Sequence, residues 1–310
     1  MSDRQTLAPE TADARLGARQ GTGAGIAYSL SAYGIWGAIP LYFHLLNAVP
    51  PLEVVAGRTV FALPLALMLA AALGQLREVG AVLSRPRLLA PLCLSALLIL
   101  TNWTIYVFAV QQGHILAASL GYYINPLLNV VIGTVFLRER LSTRQWIAVG
   151  LAAVAVAALA WGAREMLWIS LTLATSFAIY GFTRKMVPVP ALAGLAVETV
   201  VLAPIAIGYL VWNAPDLAFR HDASVALLLA GAGVLTAVPL FLFAEAARRL
   251  DYSTLGIFQY ISPTMIFLIG AFVFHEPLRP LQLACFGLIW AGIALYLWDL
   301  ALQHRAARNK

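Results

Sequence analysis

The chain has 310 residues, of which 61% are hydrophobic and only 11% charged, with a formal net charge of +6 at pH 7 and a mean hydropathy of +0.83. A water-soluble protein carries roughly 25% charged residues, so there are too few polar side chains here to cover a solvated surface, and a soluble domain is excluded. The positive charge is spread over alternate polar segments rather than gathered into a basic face, which excludes nucleic acid as a partner and leaves the lipid bilayer.

Residues 1–22 are polar and include Arg4, Arg15 and Arg19. No apolar core with a small-residue cleavage site follows, so the segment is not a signal peptide; it reads as a disordered cytoplasmic tail. Apolar windows then recur, each close to the ~20 residues that cross a ~30 Å hydrocarbon core as a helix. The spacing predicts ten spans, at 23–43, 52–73, 88–111, 116–137, 143–161, 166–184, 191–212, 224–247, 253–274 and 281–298, followed by a cytoplasmic tail, 299–310. The cations fall on alternate connections. Arg77, Arg85, Arg87, Arg138, Arg140, Arg144, Arg184, Lys185, Arg248 and Arg249 join the two tails on one side, against Arg164, Arg220 and Arg279 on the other. Such a bias marks the cytoplasmic face, places both termini there, and requires an even number of spans.

Asn125–Leu141 reads NPLLNVVIGTVFLRERL, and Ser262–Leu278 reads SPTMIFLIGAFVFHEPL. At this offset Tyr123 matches Tyr260, Pro126 matches Pro263, Gly133 matches Gly270, Glu139 matches Glu276 and Trp161 matches Trp298. Elsewhere Thr101 and Phe108 match Thr236 and Phe243, and Tyr33-Gly34 matches Tyr180-Gly181. The fold class expected is therefore all-α and polytopic: ten transmembrane helices as two five-helix repeats, 23–161 and 166–298. Five is odd, so the second repeat is inverted across the membrane. Inverted repeats suit alternating access, because exchanging the conformations of the halves converts an inward-open state into an outward-open one. They also occur in channels, so a passive small-molecule channel stays open as a reading, as does a non-transporting scaffold or sensor.

Intramembrane charge marks candidate sites. Arg58 lies in span two toward its external end, and Glu198 in span seven toward its cytoplasmic end, so the two are not expected to pair. Each either faces an aqueous cavity or makes a structural ion pair. Glu245, near Arg248 and Arg249, reads as an interfacial ion pair. Asn102, Trp103 and Tyr106 form one polar-aromatic stripe, Tyr122, Asn125 and Asn129 a second, and Gln259 with Ser262 a third. Buried amides in lipid need partners, so these stripes either bond helix to helix or line a cavity. Tyr33, Trp36, Tyr180 and Tyr260 complete the candidate cavity set. Pro126 and Pro263 each remove a backbone donor at mid-span and are expected to kink spans four and nine. Gly25, Gly34, Gly37 and Gly133 are expected to permit close helix approach. Cys93 and Cys285 lie in spans without Cys or His at metal spacing and read as packing residues. No ATP-binding loop, metalloprotease motif or nucleophile elbow occurs, so neither an enzyme nor a metal or cofactor is expected.

YGIWGAIPLYF, NWTIYVFAV, SLGYYINPLLNVVIGTVFLRERL, YGFTRK, VETVVLAP and STLGIFQYISPT resemble the RarD-like branch of the drug/metabolite transporter superfamily, with its EamA-type repeats. The resemblance covers residues 23–298. It implies a permease of the bacterial inner membrane that exports small metabolites, amino acids or drugs such as chloramphenicol. Where the family has His-Arg in span two, this chain has Gly57-Arg58, and Glu245 stands where small residues are usual. Energy is expected from the substrate gradient or from protons, with Glu198 as the preferred proton-carrying carboxylate and His114 as a weaker candidate.

Overall fold

The computed structural model describes residues 9–111, 115–162, 167–273 and 280–308, and among them all regular structure is helical. The helices are α1 (Pro9–Phe43), α2 (Pro51–Ala72), α3 (Leu76–Leu83), α4 (Pro86–Gln111), α5 (Ile115–Val135), α6 (Thr143–Gly162), α7 (Leu167–Met186), α8 (Ala191–Trp212), α9 (Ala218–His221), α10 (Ala223–Arg249), α11 (Tyr252–Gln259), α12 (Ile261–Phe272) and α13 (Pro280–Arg308). Seven described helices are long and apolar enough to cross a membrane, within α2, α4, α6, α8, α10, α11–α12 and α13, and α5 adds a shorter apolar helix.

Three features depart from one helix per expected span. α1 runs back to Pro9, so most of the segment expected as a disordered tail is helical; it begins at a proline, which suits a first helical turn. The connection after α2 holds an extra helix, α3, whose Val79 and Val82 are buried where it packs on α4 and α8. Span nine is two helices, divided at Tyr260. Pro263 has no N–H to give the Gln259 carbonyl, and its ring crowds that carbonyl. The chain tightens there instead, with the Tyr260 N–H bonded to the Ile257 carbonyl at 3.2 Å. Pro126 does not break its helix, since α5 is continuous through it.

The packing has a pattern. α1 packs on α10 as α4 packs on α7; α2 packs on α10 as α4 packs on α8; α1 packs on α11–α12 as α5 packs on α7. Three further pairs, α2·α8, α5·α11 and α6·α13, map onto themselves. Exchanging each helix of the first half for its counterpart in the second maps these pairs onto one another, whereas α7·α10 and α5·α6 have no counterpart of equal weight among the described residues. The bundle has two ends. At one, Tyr42 donates a 2.6 Å hydrogen bond to the Leu228 carbonyl, joining α1 to α10. At the other, Gly25 of α1 meets Arg249 and Leu250 at the far end of α10, so α1 and α10 are antiparallel. Small residues set these contacts: at Gly37 a Cβ would collide with Met265 of α12. Gly34 has open space around it and makes no such contact.

Candidate functional site

A cavity of about 130 Å3 opens at the Tyr42 end. Tyr33, Trp36 and Phe43 of α1, Arg58 of α2, and Asn102, Trp103 and Tyr106 of α4 line it, with Tyr122, Phe177, Thr236, Gln259, Ser262 and Pro263 from helices of both halves. Seven of the nineteen described lining residues are aromatic. Trp36 packs edge-on against Phe177, ring centroids 5.5 Å apart, and Tyr106 lies 5.9 Å from Tyr122. Arg58 is the one charged residue among the described residues of the lining. Its guanidinium stacks on Trp103 at 3.8 Å from the ring centroid and lies 6.0 Å from that of Phe43.

Toward the Tyr252 end the bundle is packed around buried rings, with a second space of about 410 Å3 at its surface lined by Arg249, Leu250, Asp251 and Thr254. Tyr33, Tyr180, Phe243 and Tyr252 are almost wholly buried, with the Tyr180 ring stacked on Phe243 and the Tyr252 hydroxyl bonded to the Ala178 carbonyl. Polar clasps surround this plug. Arg184 pairs with Glu198 at 3.6 Å and donates to the Ala191 carbonyl at 2.7 Å. The Ser95 hydroxyl also donates to the Glu198 carboxylate. Lys185 donates to the carbonyls of Ala247 and Leu250, and Arg248 to that of Val189. Glu139 turns back from the loop after α5, where Arg138 takes a φ of 56°. Its carboxylate accepts the N–H groups of Tyr252 at 2.6 Å and Ser253 at 2.9 Å, the unsatisfied donors of the α11 N-terminus. Gly133 was expected to bring helices together. It does so, letting the Ser253 hydroxyl of α11 approach α5, and it also leaves space for the Glu139 carboxylate; a methyl group would strike both. Beside this clasp, burial and then the charge of Glu139 push the Asp251 carboxyl above its ordinary pKa, with Lys185 opposing.

The sequence candidates thus divide. Tyr33, Trp36, Arg58, Asn102, Trp103, Tyr106, Tyr122, Gln259 and Pro263 line the cavity; Asn125, Asn129, Tyr180, Tyr260, Pro126 and Glu198 do not. Asn125 bonds to the Ala174 carbonyl at 2.6 Å. Asn129 bonds to Gln259 at 3.0 Å, and the Tyr260 hydroxyl donates to the Tyr123 carbonyl, so these groups tie helices together. Asn102 does both, lining the cavity while it donates to Ser176 and the Leu173 carbonyl. Glu198 lies beneath the cavity floor, where a space of about 10 Å3 is shared with Thr59, Trp103 and Thr199. Glu245 pairs with Arg249. His114 and Glu276 lie outside the described residues.

Two features escaped the sequence reading. One is Arg184 as the partner of Glu198. The other is the equivalence of α2 and α8, legible as a Thr-Val pair at Thr59 and Thr199 with a proline five residues on, Pro64 and Pro204. It makes Arg58 and Glu198 counterparts.

Known proteins are similar along nearly the whole chain. Protein RarD of Streptomyces exfoliatus is 42% identical over 292 residues, covering 92% of each chain. An uncharacterized transporter of Pseudomonas aeruginosa is 43% identical over 285 residues, 89% of this chain and 93% of the relative. The chloramphenicol-sensitive protein RarD of Pseudomonas aeruginosa is 34% identical over 294 residues, 93% of this chain and 98% of that one. A crystal structure shares the fold with a TM-score of 0.69 at 19% identity, over 89% of this chain and 97% of that chain. The EamA-like transporter family matches twice, over residues 23–161 and again over 164–298. With a lipid-suited helical bundle, a cavity lined from both halves and two family matches in tandem, the chain belongs to the EamA-like transporter family.

Proposed function

We propose that the protein is a secondary transporter that exports small organic molecules across the bacterial inner membrane by alternating access. Ten spans in two inverted five-helix repeats, 23–161 and 166–298, carry it, with both termini cytoplasmic. The observation that supports this most is the cavity at the Tyr42 end of a bundle whose principal helix pairs map onto one another when the halves are exchanged. A pore open to both sides would be a channel; here the Tyr252 end is plugged by rings and clasped by Glu139 and Arg184. In an inverted repeat the same contacts can be traded between halves, reopening one end as the other closes. With the cations placed inside, the open end is external.

The cavity residues are the substrate contacts, and metabolites, amino acids and amphenicol-type drugs are the classes to screen. Proton coupling would act at Glu198: protonation removes its charge, and with it the attraction to Arg184 that helps hold the inner end shut. Purified protein in liposomes tests the reading. Saturable counterflow of such solutes, with net movement driven by a pH gradient, is expected; unsaturable flux without exchange would replace it with a channel.

A further inference from the structure

Two arginines are buried in the bundle, and their surroundings differ. Arg184 has a carboxylate, Glu198, and a carbonyl. Arg58 has neither among the described residues: the Nε of both arginines lacks a hydrogen bond, but only Arg184 has a carboxylate beside it, and Arg58 is 9% exposed. Among the described residues it forms no ion pair with a carboxylate, and no Asp or Glu lines the cavity. A buried charge is costly unless paired. The stacking on Trp103 covers a face of the guanidinium, whereas its donors lie in the plane, in a fork that matches a carboxylate. What the site lacks is an in-plane anion.

We propose that Arg58 is the anion-binding group of the cavity, and that its ligands are small organic carboxylates bearing an apolar or aromatic body. Within the transport reading, on which this rests, these would be the substrates. The carboxylate docks on Arg58, and the apolar body lies among Trp36, Phe43, Tyr106 and Phe177. A cavity of about 130 Å3 is near the ~150 Å3 that accepts one benzene ring. An ammonium group would find no carboxylate among the described lining residues and would meet the like charge of Arg58, so cationic solutes and zwitterions are disfavoured. Asn102 and Gln259 supply amide groups for further polar contacts.

The test uses three probes of one shape: benzoate, benzamide and benzylammonium, titrated by calorimetry against the full chain in nanodiscs of zwitterionic lipid. Benzoate is expected to bind more tightly than benzamide by a factor of about 10 to 100, the worth of charge-assisted hydrogen bonds, and benzylammonium not at all. Arg58→Gln should erase the preference for benzoate over benzamide, while Arg58→Lys keeps part of it. Equal affinities for the three probes, no binding by any of them at millimolar concentration, or an undiminished preference in folded Arg58→Gln protein would overturn the proposal. The wild-type comparison stands even where a variant fails to fold. Anionic lipid that displaces benzoate from the disc would also overturn it, assigning Arg58 to a headgroup. Binding is read without transport, so benzoate bound through Arg58 but never moved removes only the transport reading. Counterflow of solutes with no preference for anions removes only this inference.

Discussion

Arg58 and Glu198 stand at the same place in two equivalent helices. Each is the eighth residue of a 22-residue helix, followed by a Thr-Val pair and preceding a proline by six residues. The two helices pack on each other, yet the charges face different surroundings: Arg58 lines the cavity, and Glu198 is clasped by Arg184 and Ser95 beneath its floor. Duplication placed the positions, and divergence gave them opposite charge and separate tasks.

The first prediction concerns Glu198. Glu198→Gln imitates the protonated carboxyl, so pH-driven accumulation should vanish while counterflow continues. Glu198→Ala leaves Arg184 buried without its carboxylate and should cost about 3–5 kcal/mol, read as a lower Tm. Full pH-driven transport by folded Glu198→Gln protein would move the coupling group elsewhere.

Accessibility checks the cavity. In a protein whose Cys93 and Cys285 are replaced by Ala, Asn102→Cys and Tyr106→Cys should react quickly with a small polar thiol reagent. Leu97→Cys, half exposed on the outside of α4, should react slowly because lipid covers it. Equal rates would show that the cavity holds no water.

Topology follows from the cation bias. Reporter fusions at Ala48 and Arg164 should report the external side, and those at Gln75 and Arg140 the cytoplasm. A cytoplasmic signal at Arg164 would break the inversion.

The Glu139 clasp predicts a change of state. Glu139→Gln removes the charge from two hydrogen bonds to the α11 N-terminus, a loss of about 1 kcal/mol or more. Gly133→Ala pushes the carboxylate out of its place. Either change should open the Tyr252 end, so that a cysteine at buried Ala246 becomes reactive. Unchanged protection at Ala246 would show that the plug closes without the clasp.

Asp251 gives a pH signature. Its raised pKa means the folded state holds this proton more tightly than the unfolded chain. Stability from this group is therefore present at low pH and lost as pH rises from the unfolded pKa through the folded one. Asp251→Asn should raise Tm at neutral pH, with the gain shrinking below the ordinary carboxylate range. A gain equal at all pH values would assign it to something other than charge.

How much was legible depends on whether a property is written along one helix or between two. Hydropathy and the periodic recurrence of Pro126, Gly133 and Glu139 in Pro263, Gly270 and Glu276 determined a helical membrane protein and its internal duplication, because lipid permits few other folds and a copied sequence keeps its spacing. The same pattern put Asn102, Trp103 and Tyr106 on one helix and Gln259 on another. Only the tertiary structure decided which polar groups meet the cavity. Asn102, Asn125 and Asn129 look identical in sequence, and each bonds to a neighbouring residue as a buried amide must, but of the three Asn102 alone also borders the cavity. Likewise Arg184, at the end of α7, reads as a cytoplasmic cation until the fold brings it to Glu198 fourteen residues on. Partnership is set by packing geometry, which spacing along a chain does not contain. That no carboxylate of the described residues lies beside Arg58 is a finding of that same kind.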